Sequence, residues 1–167
     1  MPERAVVIYT DGACLGNPGP GGYAAVLLAG GKRKELSGGF RLTTNNRMEL
    51  MAAIVALEAL GEKSAVRLYS DSRYMVESYT NGAARRWQAN AWMRAKRQPA
   101  QNVDLWERLL ALCDRHQVKM VWVEGHAGDE ENERCDRLST QAARRKDLPP
   151  DLAYEQDETR KSSMTLF

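Results

Sequence analysis

No run of apolar residues in this 167-residue chain approaches the roughly 18 that cross a bilayer, so a membrane span is excluded. Cysteine is scarce. Cys14, Cys113 and Cys135 form no CxxC pair and are odd in number, which argues against a disulfide framework and for free thiols in a reducing compartment. Charge of one sign is also lacking. Lys and Arg total 24 against 22 Asp and Glu, and a formal net charge of +2 does not by itself imply a nucleic-acid partner. No internal repeat is visible. The apolar run Ala5–Tyr9 is too short for an export signal and runs into Asp11, so a cytoplasmic location is expected. What is present is ordinary: 43% hydrophobic and 28% charged residues exclude a disordered or fibrous chain. The length suits a single domain with a core that needs no staples.

Residues 5–10 read as a strand apolar on both faces. Nine of the 13 glycines fall within 12–39, where 23–28 and 35–42 read as strands joined at Gly30-Gly31. Residues 47–60 carry a helical stripe (Met48, Met51, Ala52, Val55, Ala59), with Asn46 and Glu49 at capping-box spacing. A strand at 65–70 is followed by a helix from about Asp71 to Asn81-Gly82. Residues 83–98 read as partly helical, 102–115 as a helix, 118–123 as a strand and 129–146 as a helix. Residues 147–167 show Pro149-Pro150, five acidic residues and no periodicity, and are expected to be a mobile tail. The order implies a mixed α/β (α+β) sheet, antiparallel at its first edge, parallel later and covered by helices. One domain is expected over 1–146.

Asp11 and Asp71 each end an apolar strand. In open α/β sheets ligands gather at such carboxyl ends. If the two strands are neighbours, their carboxylates converge, and either one is protonated or a cation lies between them. Glu49 and Asp136 are further acidic candidates. Each also has a purely structural reading: Asp71 or Ser72 as a helix cap, Glu49 completing a capping box, Asp136 as a half-buried helix charge. Asp11 is the exception, because no helix starts after it. An all-carboxylate cluster favours Mg²⁺ or Mn²⁺ over Zn²⁺. Two such ions about 3.5–4 Å apart suit an in-line phosphoryl displacement. His126, in the loop Gly125-His126-Ala127-Gly128, either moves protons or holds the turn. His116, among Arg115 and Gln117, reads as a solvated side chain.

Residues 82–102 contain Arg85, Arg86, Arg94, Lys96 and Arg97 and no acid, with Trp87 and Trp92 among them. A local +5 within a global +2, with indoles interleaved, favours nucleic-acid binding over a solvated helical face.

Five segments in register then carry a resemblance. The run Tyr9-Thr10-Asp11-Gly12-Ala13-Cys14-Leu15-Gly16-Asn17-Pro18-Gly19-Pro20-Gly21-Gly22-Tyr23 resembles the opening motif of bacterial type 1 ribonuclease H (ribonuclease HI). So do Thr43 to Ala53, Ser70-Asp71-Ser72, Asn102 to Trp106, and Gly125-His126-Ala127-Gly128 through Glu131 to Asp136. The likeness runs over roughly 5–145 and is far more specific than any lone motif. It implies a ribonuclease H-like fold, a five-stranded mixed sheet of order 3-2-1-4-5 with flanking helices. It implies endonucleolytic cleavage of the RNA strand of RNA–DNA hybrids, largely independent of sequence, leaving 5′-phosphate and 3′-hydroxyl ends. It implies that Asp11, Glu49, Asp71 and Asp136 bind one or two Mg²⁺ ions, with Mn²⁺ as a substitute, and that His126 assists proton transfer or product release. Cys14, Asn17 and Asn45 fall on positions that contact RNA 2′-hydroxyls, and Thr44 falls near a DNA-phosphate contact. Residues 83–98 match a basic protrusion that grips the DNA strand. The expected partner is the hybrid duplex alone, bound by a monomer with no obligatory protein partner.

Two departures stand out. Arg73 occupies the place of a glutamine that contacts a 2′-hydroxyl, where a guanidinium binds a phosphate instead or pairs with Glu77. Asp129-Glu130 replaces His-Pro after the Gly-His-Ala-Gly turn and adds negative charge at a helix start.

Overall fold

The computed structural model describes residues 4–125 and 127–165. In chain order the elements are β1 (Arg4–Cys14), β2 (Gly19–Ala29), β3 (Lys32–Thr43), α1 (Asn45–Glu58), β4 (Ser64–Ser70), α2 (Arg73–Thr80), α3 (Ala83–Ala89), β5 (Met93–Ala95), β6 (Gln98–Pro99), α4 (Val103–Arg115), β7 (Gln117–Trp122), α5 (Glu130–Ala143) and α6 (Leu152–Thr165). Five strands form one sheet in the order β3-β2-β1-β4-β7. The expected order 3-2-1-4-5 is met, because β5 and β6 pair only with each other and β7 is the fifth strand of the main sheet. The β1–β2 and β2–β3 pairs are antiparallel, and β1–β4 and β4–β7 are parallel. β2 and β3 turn at Gly30 and Gly31, whose φ values of 54° and 79° suit glycine.

One sheet face carries Val6, Ile8, Val66 and Leu68 into a core completed by α1 and α4, where Trp106, Leu109 and Leu110 are fully buried. The other face holds a smaller cluster of Ala24, Val26 and Cys135 beneath α5, bordered by Tyr9 and Leu138. Gly22 makes that packing possible: a Cβ there would lie 2.0 Å from the Ser139 carbonyl oxygen. α1 ends at Glu58, so Ala59 of the expected stripe is its exposed C-cap, while burial extends beyond the stripe to Leu50, Ala53, Ile54, Ala56 and Leu57. It lies between the sheet and α4, so three sides of it face protein.

Three expectations change. The capping box at the start of α1 is absent: Thr44 is the N-cap, accepting from the Arg47 N–H at 3.3 Å, which leaves the Glu49 carboxyl for other work. His116 is buried rather than solvated, because its Nδ1 accepts from the Ser64 N–H (3.1 Å) and ties the end of α4 to the start of β4. Residues 147–167, expected as a mobile tail, contain α6, and Asp151 just before it is buried. Its carboxylate meets Arg47, which donates from Nε (2.7 Å) and Nη2 (3.0 Å), and Thr43 Oγ1 donates to it at 2.7 Å. Arg47 also holds Asp104 at 2.7 and 2.8 Å. Residues 83–98 are partly helical as expected: α3 fills the first half, and the β5–β6 hairpin follows it. Cys14, Cys113 and Cys135 are free thiols, and no described helix is long and apolar enough to cross a membrane.

Removing one partner from a buried ion pair strands the other charge. Asp151→Ala is expected to cost about 2–4 kcal/mol of stability in urea unfolding. A loss near zero would mean that Asp104 alone satisfies the Arg47 guanidinium.

Candidate active site

The register of the parallel pair positions the first two acids. Tyr9 on β1 lies opposite Tyr69 on β4, and their rings stack at 5.0 Å. Asp11 and Asp71 therefore sit two residues further on, at the same end of neighbouring strands. Ser72 caps α2, accepting from the Met75 N–H at 3.2 Å, so Asp71 is not consumed as a cap. The Asp71 backbone carbonyl accepts from Trp122 Nε1 at 3.1 Å, which ties it to the end of β7. Glu49 arrives on the first turns of α1, and Gly12 lets that helix approach: a Cβ there would lie 2.6 Å from the Glu49 nitrogen. Gly125 gives Asp71 similar room, since a Cβ would sit 2.7 Å from Asp71 Oδ2.

One carboxylate oxygen from each of Asp11, Glu49 and Asp71 lies within 4.8 Å of the others. Asp11 and Glu49 are 4% and 3% exposed, and Asp71 is half-buried. Burial, then the charge of Asp71, pushes the Asp11 carboxyl up to about 8, although hydrogen bonds from the Glu49 carboxyl and the Gly12 N–H pull it back. Burial, then the charges of Asp11 and Asp71, raises Glu49 well above the carboxylate range. Among the described residues no ion pair neutralises the three, and Glu49 Oε2 is buried without a hydrogen-bond partner. An all-oxygen donor set with an unpartnered buried oxygen fits a hard divalent cation. Asp136, on α5, is not within the 4.8 Å group, but its charge acts on Asp11. His126 lies outside the described residues.

Around this cluster, Cys14 Sγ donates to the carbonyls of Gly19 (3.4 Å) and Thr43 (3.5 Å), and burial raises its thiol pKa. Asn17, exposed in the β1–β2 loop, accepts through Oδ1 from the Asn45 N–H at 3.1 Å, and Thr44 is spent in part as the α1 cap. In the basic segment Arg85 turns to Asp114 (2.7 Å), and Arg86 donates to the Asn81 carbonyl (3.0 Å) while remaining exposed. Arg94, Lys96 and Arg97 are exposed. Trp87 and Trp92 are half-buried and pack on the main core, Trp87 edge-on to Trp106 at 6.2 Å. The open face of the segment is therefore cationic. Arg73 stacks on Trp122, with its guanidinium carbon 4.4 Å from the ring centroid, and reaches Glu77 only at 3.8 Å. Trp122 escaped the sequence reading; the available signal was an aromatic near the end of the 118–123 strand. Asp129 caps α5, accepting from the Glu131 and Asn132 N–H groups at 3.1 Å, so the added negative charge is placed against the helix dipole.

A family model described as RNase H matches residues 3–144. The ribonuclease H of Syntrophus aciditrophicus is 63% identical over 153 residues, covering 92% of this chain and 88% of that protein. The ribonuclease H of Rippkaea orientalis is 60% identical, covering 91% and 93%. Among solved structures, LC9-RNase H1, a type 1 RNase H with the type 2 active-site motif, superposes with a TM-score of 0.76 at 31% identity, covering 86% of this chain and 74% of that one. LC11-RNase H1 in complex with RNA/DNA hybrid superposes at 0.64 with 26% identity, covering 83% and 96%.

Raised carboxyl pKa values carry a stability consequence. In the metal-free protein the stabilising contribution is complete below the unfolded-state value near 4 and is lost as pH rises towards about 8. In chelator, Asp11→Asn is expected to stabilise the fold by about 1–3 kcal/mol at pH 8, with the gain shrinking towards pH 4. Denaturant midpoints of the two proteins across that range check it. Equal midpoints throughout would show that Asp11 is not under repulsive strain.

Proposed function

This chain belongs to the ribonuclease H family, and on that premise we propose that it cuts the RNA strand of RNA–DNA hybrids by metal-assisted hydrolysis. The observation that carries this reading is the convergence of Asp11, Glu49 and Asp71 at adjacent strand ends, with a buried Glu49 oxygen left unpartnered. Asp11, Glu49, Asp71 and Asp136 would hold one or two Mg²⁺ ions, for which Mn²⁺ could substitute. Bound there, the metal supplies positive charge against the phosphate and lowers the pKa of a water. Water oxygen bonds to phosphorus, the bond from phosphorus to the 3′ oxygen breaks, and 5′-phosphate and 3′-hydroxyl ends result. The proton lost by the water is balanced by one gained at the leaving 3′ oxygen, and His126 assists that transfer or product release.

The remaining assignments follow from what each group can donate. Cys14, Asn17 and Asn45 border the cluster on the β1–β2 and α1 side and read the ribose 2′-hydroxyl, the group that separates RNA from DNA. Thr44 contacts a DNA phosphate. The segment 83–98, with Arg85, Arg86, Trp87, Trp92, Arg94, Lys96 and Arg97, is a protrusion of the single catalytic domain 1–146, and its cations track the DNA backbone without reading sequence. Three free thiols suit a reducing compartment, and we place the enzyme in the cytoplasm, acting as a monomer.

Labelled hybrid, duplex DNA and duplex RNA, each with Mg²⁺ and with chelator, test the reaction: only the hybrid is cut, and only with metal. Cutting of duplex DNA at the hybrid's rate would overturn the assignment. Asp11→Asn is expected to lower cleavage by about 10³-fold or more while hybrid is still bound, since phosphate contacts lie elsewhere. Neutralising Arg86, Arg94, Lys96 and Arg97 together should weaken hybrid binding and flatten its salt dependence by up to about 3.6 in log–log slope. An unchanged slope would remove the protrusion from the interface.

A further inference from the structure

Several arginines of this fold are committed to carboxylates. Arg33, Arg41, Arg47, Arg85, Arg108 and Arg134 each hold a carboxylate at 3.0 Å or less. Arg73 is different. It opens α2 two residues beyond Asp71, its side chain is 68% exposed, and its nearest carboxylate, Glu77, is 3.8 Å away. That separation is too long for a hydrogen bond, and an exposed pair of this kind contributes little. Among the described residues no hydrogen bond uses its N–H groups.

The side chain is nevertheless placed. Its guanidinium lies 4.4 Å from the Trp122 ring centroid. Trp122 is itself fixed twice: it is the last residue of β7, in register with Ser70, and its indole N–H holds the Asp71 carbonyl at 3.1 Å. The stack thus joins Arg73 to the same residue whose side chain enters the acidic cluster. Stacking engages the π face of a guanidinium and leaves the in-plane N–H edge for an acceptor. The acceptor that suits this edge is a pair of oxygens sharing negative charge.

The setting says which oxygens. Three carboxylates crowd within 4.8 Å, and a phosphodiester approaching them meets a repulsive field. Cys14, Asn17 and Asn45 lie on the β1–β2 side of the cluster; Arg73 and Trp122 lie on the β4–β7 side. A strand laid across the carboxylates from one side reaches Arg73 on the other. The geometry points to Arg73, seated on Trp122, as a substrate-positioning residue that clamps a backbone phosphate of the RNA strand beside the one being cut. It reads charge at that nucleotide and is indifferent to the ribose hydroxyl. This inference rests on the hybrid-cleaving reading above.

The test uses two hybrid series with one defined cut site. In one, a single uncharged methylphosphonate replaces each RNA-strand phosphate near the cut in turn; in the other, a single 2′-deoxynucleotide replaces each ribonucleotide. At one flanking phosphate, neutralisation is expected to lower wild-type kcat/KM about tenfold. Arg73→Ala loses a similar factor on unmodified hybrid and loses almost nothing further when that phosphate is neutralised. It remains as sensitive as wild type to every 2′-deoxy replacement. Arg73→Lys keeps the salt slope of hybrid binding, whereas Arg73→Ala lowers it by about 0.9. Independent losses at every phosphate, a lost response to one 2′-deoxy position, or an unchanged salt slope would each overturn the clamp. If wild type fails to cut unmodified hybrid, the hybrid-cleaving reading fails instead. The salt slope of hybrid binding in chelator still judges Arg73 on its own.

Discussion

Holding three carboxylates within 4.8 Å of one another, two of them nearly buried, is the constraint on which the rest of this architecture depends. Mutual repulsion pushes such groups apart unless the backbone carrying them cannot yield. Here it cannot. Asp11 and Asp71 extend from parallel strands locked through the Tyr9–Tyr69 register, and Glu49 stands on a helix enclosed by sheet and α4. Rigid packing of this kind transmits strain instead of absorbing it. A divalent cation held there would relieve the repulsion, and binding energy and folding energy would then be linked at this site.

The same helix links the site to the far end of the chain. Arg47, two residues before Glu49, is the hub where β3, α1, α4 and the segment entering α6 meet through Thr43, Asp104 and Asp151. The guanidinium is nearly buried, and it donates charge-assisted hydrogen bonds to Asp104 and Asp151 and a longer one to Asn102 Oδ1 at 3.5 Å. Orientation of the α1 N-terminal turn is thereby set from two directions: Gly12 permits close approach from the sheet side, and the Arg47 hub restrains it from the other.

What could be read along the chain was whatever has a local signature. Apolar runs that end in Asp11 and Asp71 declared both the strands and the site, and the glycine-rich stretch declared the hairpin. Signals faded where structure is made by distant partners. α1 was read as a stripe, because a helix enclosed on several sides loses the polar face that periodicity detects. His116 looked solvated since nothing nearby in sequence announces that the Ser64 N–H needs its ring. Asp151 looked like one acid among five, because its partner, Arg47, is 104 residues away. The β5–β6 hairpin, with strands of three and two residues, is too short to carry an alternation. Arg73 was noticed because it replaces a glutamine, but the Trp122 ring that steadies it arrives on a distant strand, β7.

The Gly30-Gly31 turn offers one practical consequence. A Cβ added at either glycine meets nothing within 4 Å. β2 has 11 residues between its site-proximal start and this turn, a span of about 35 Å. A fluorophore or surface tether carried on the exposed Lys32 beside the turn, which leaves both positive-φ glycines in place, would stand far from the cleft. Single molecules could then be immobilised in one orientation with the cutting face turned to solution.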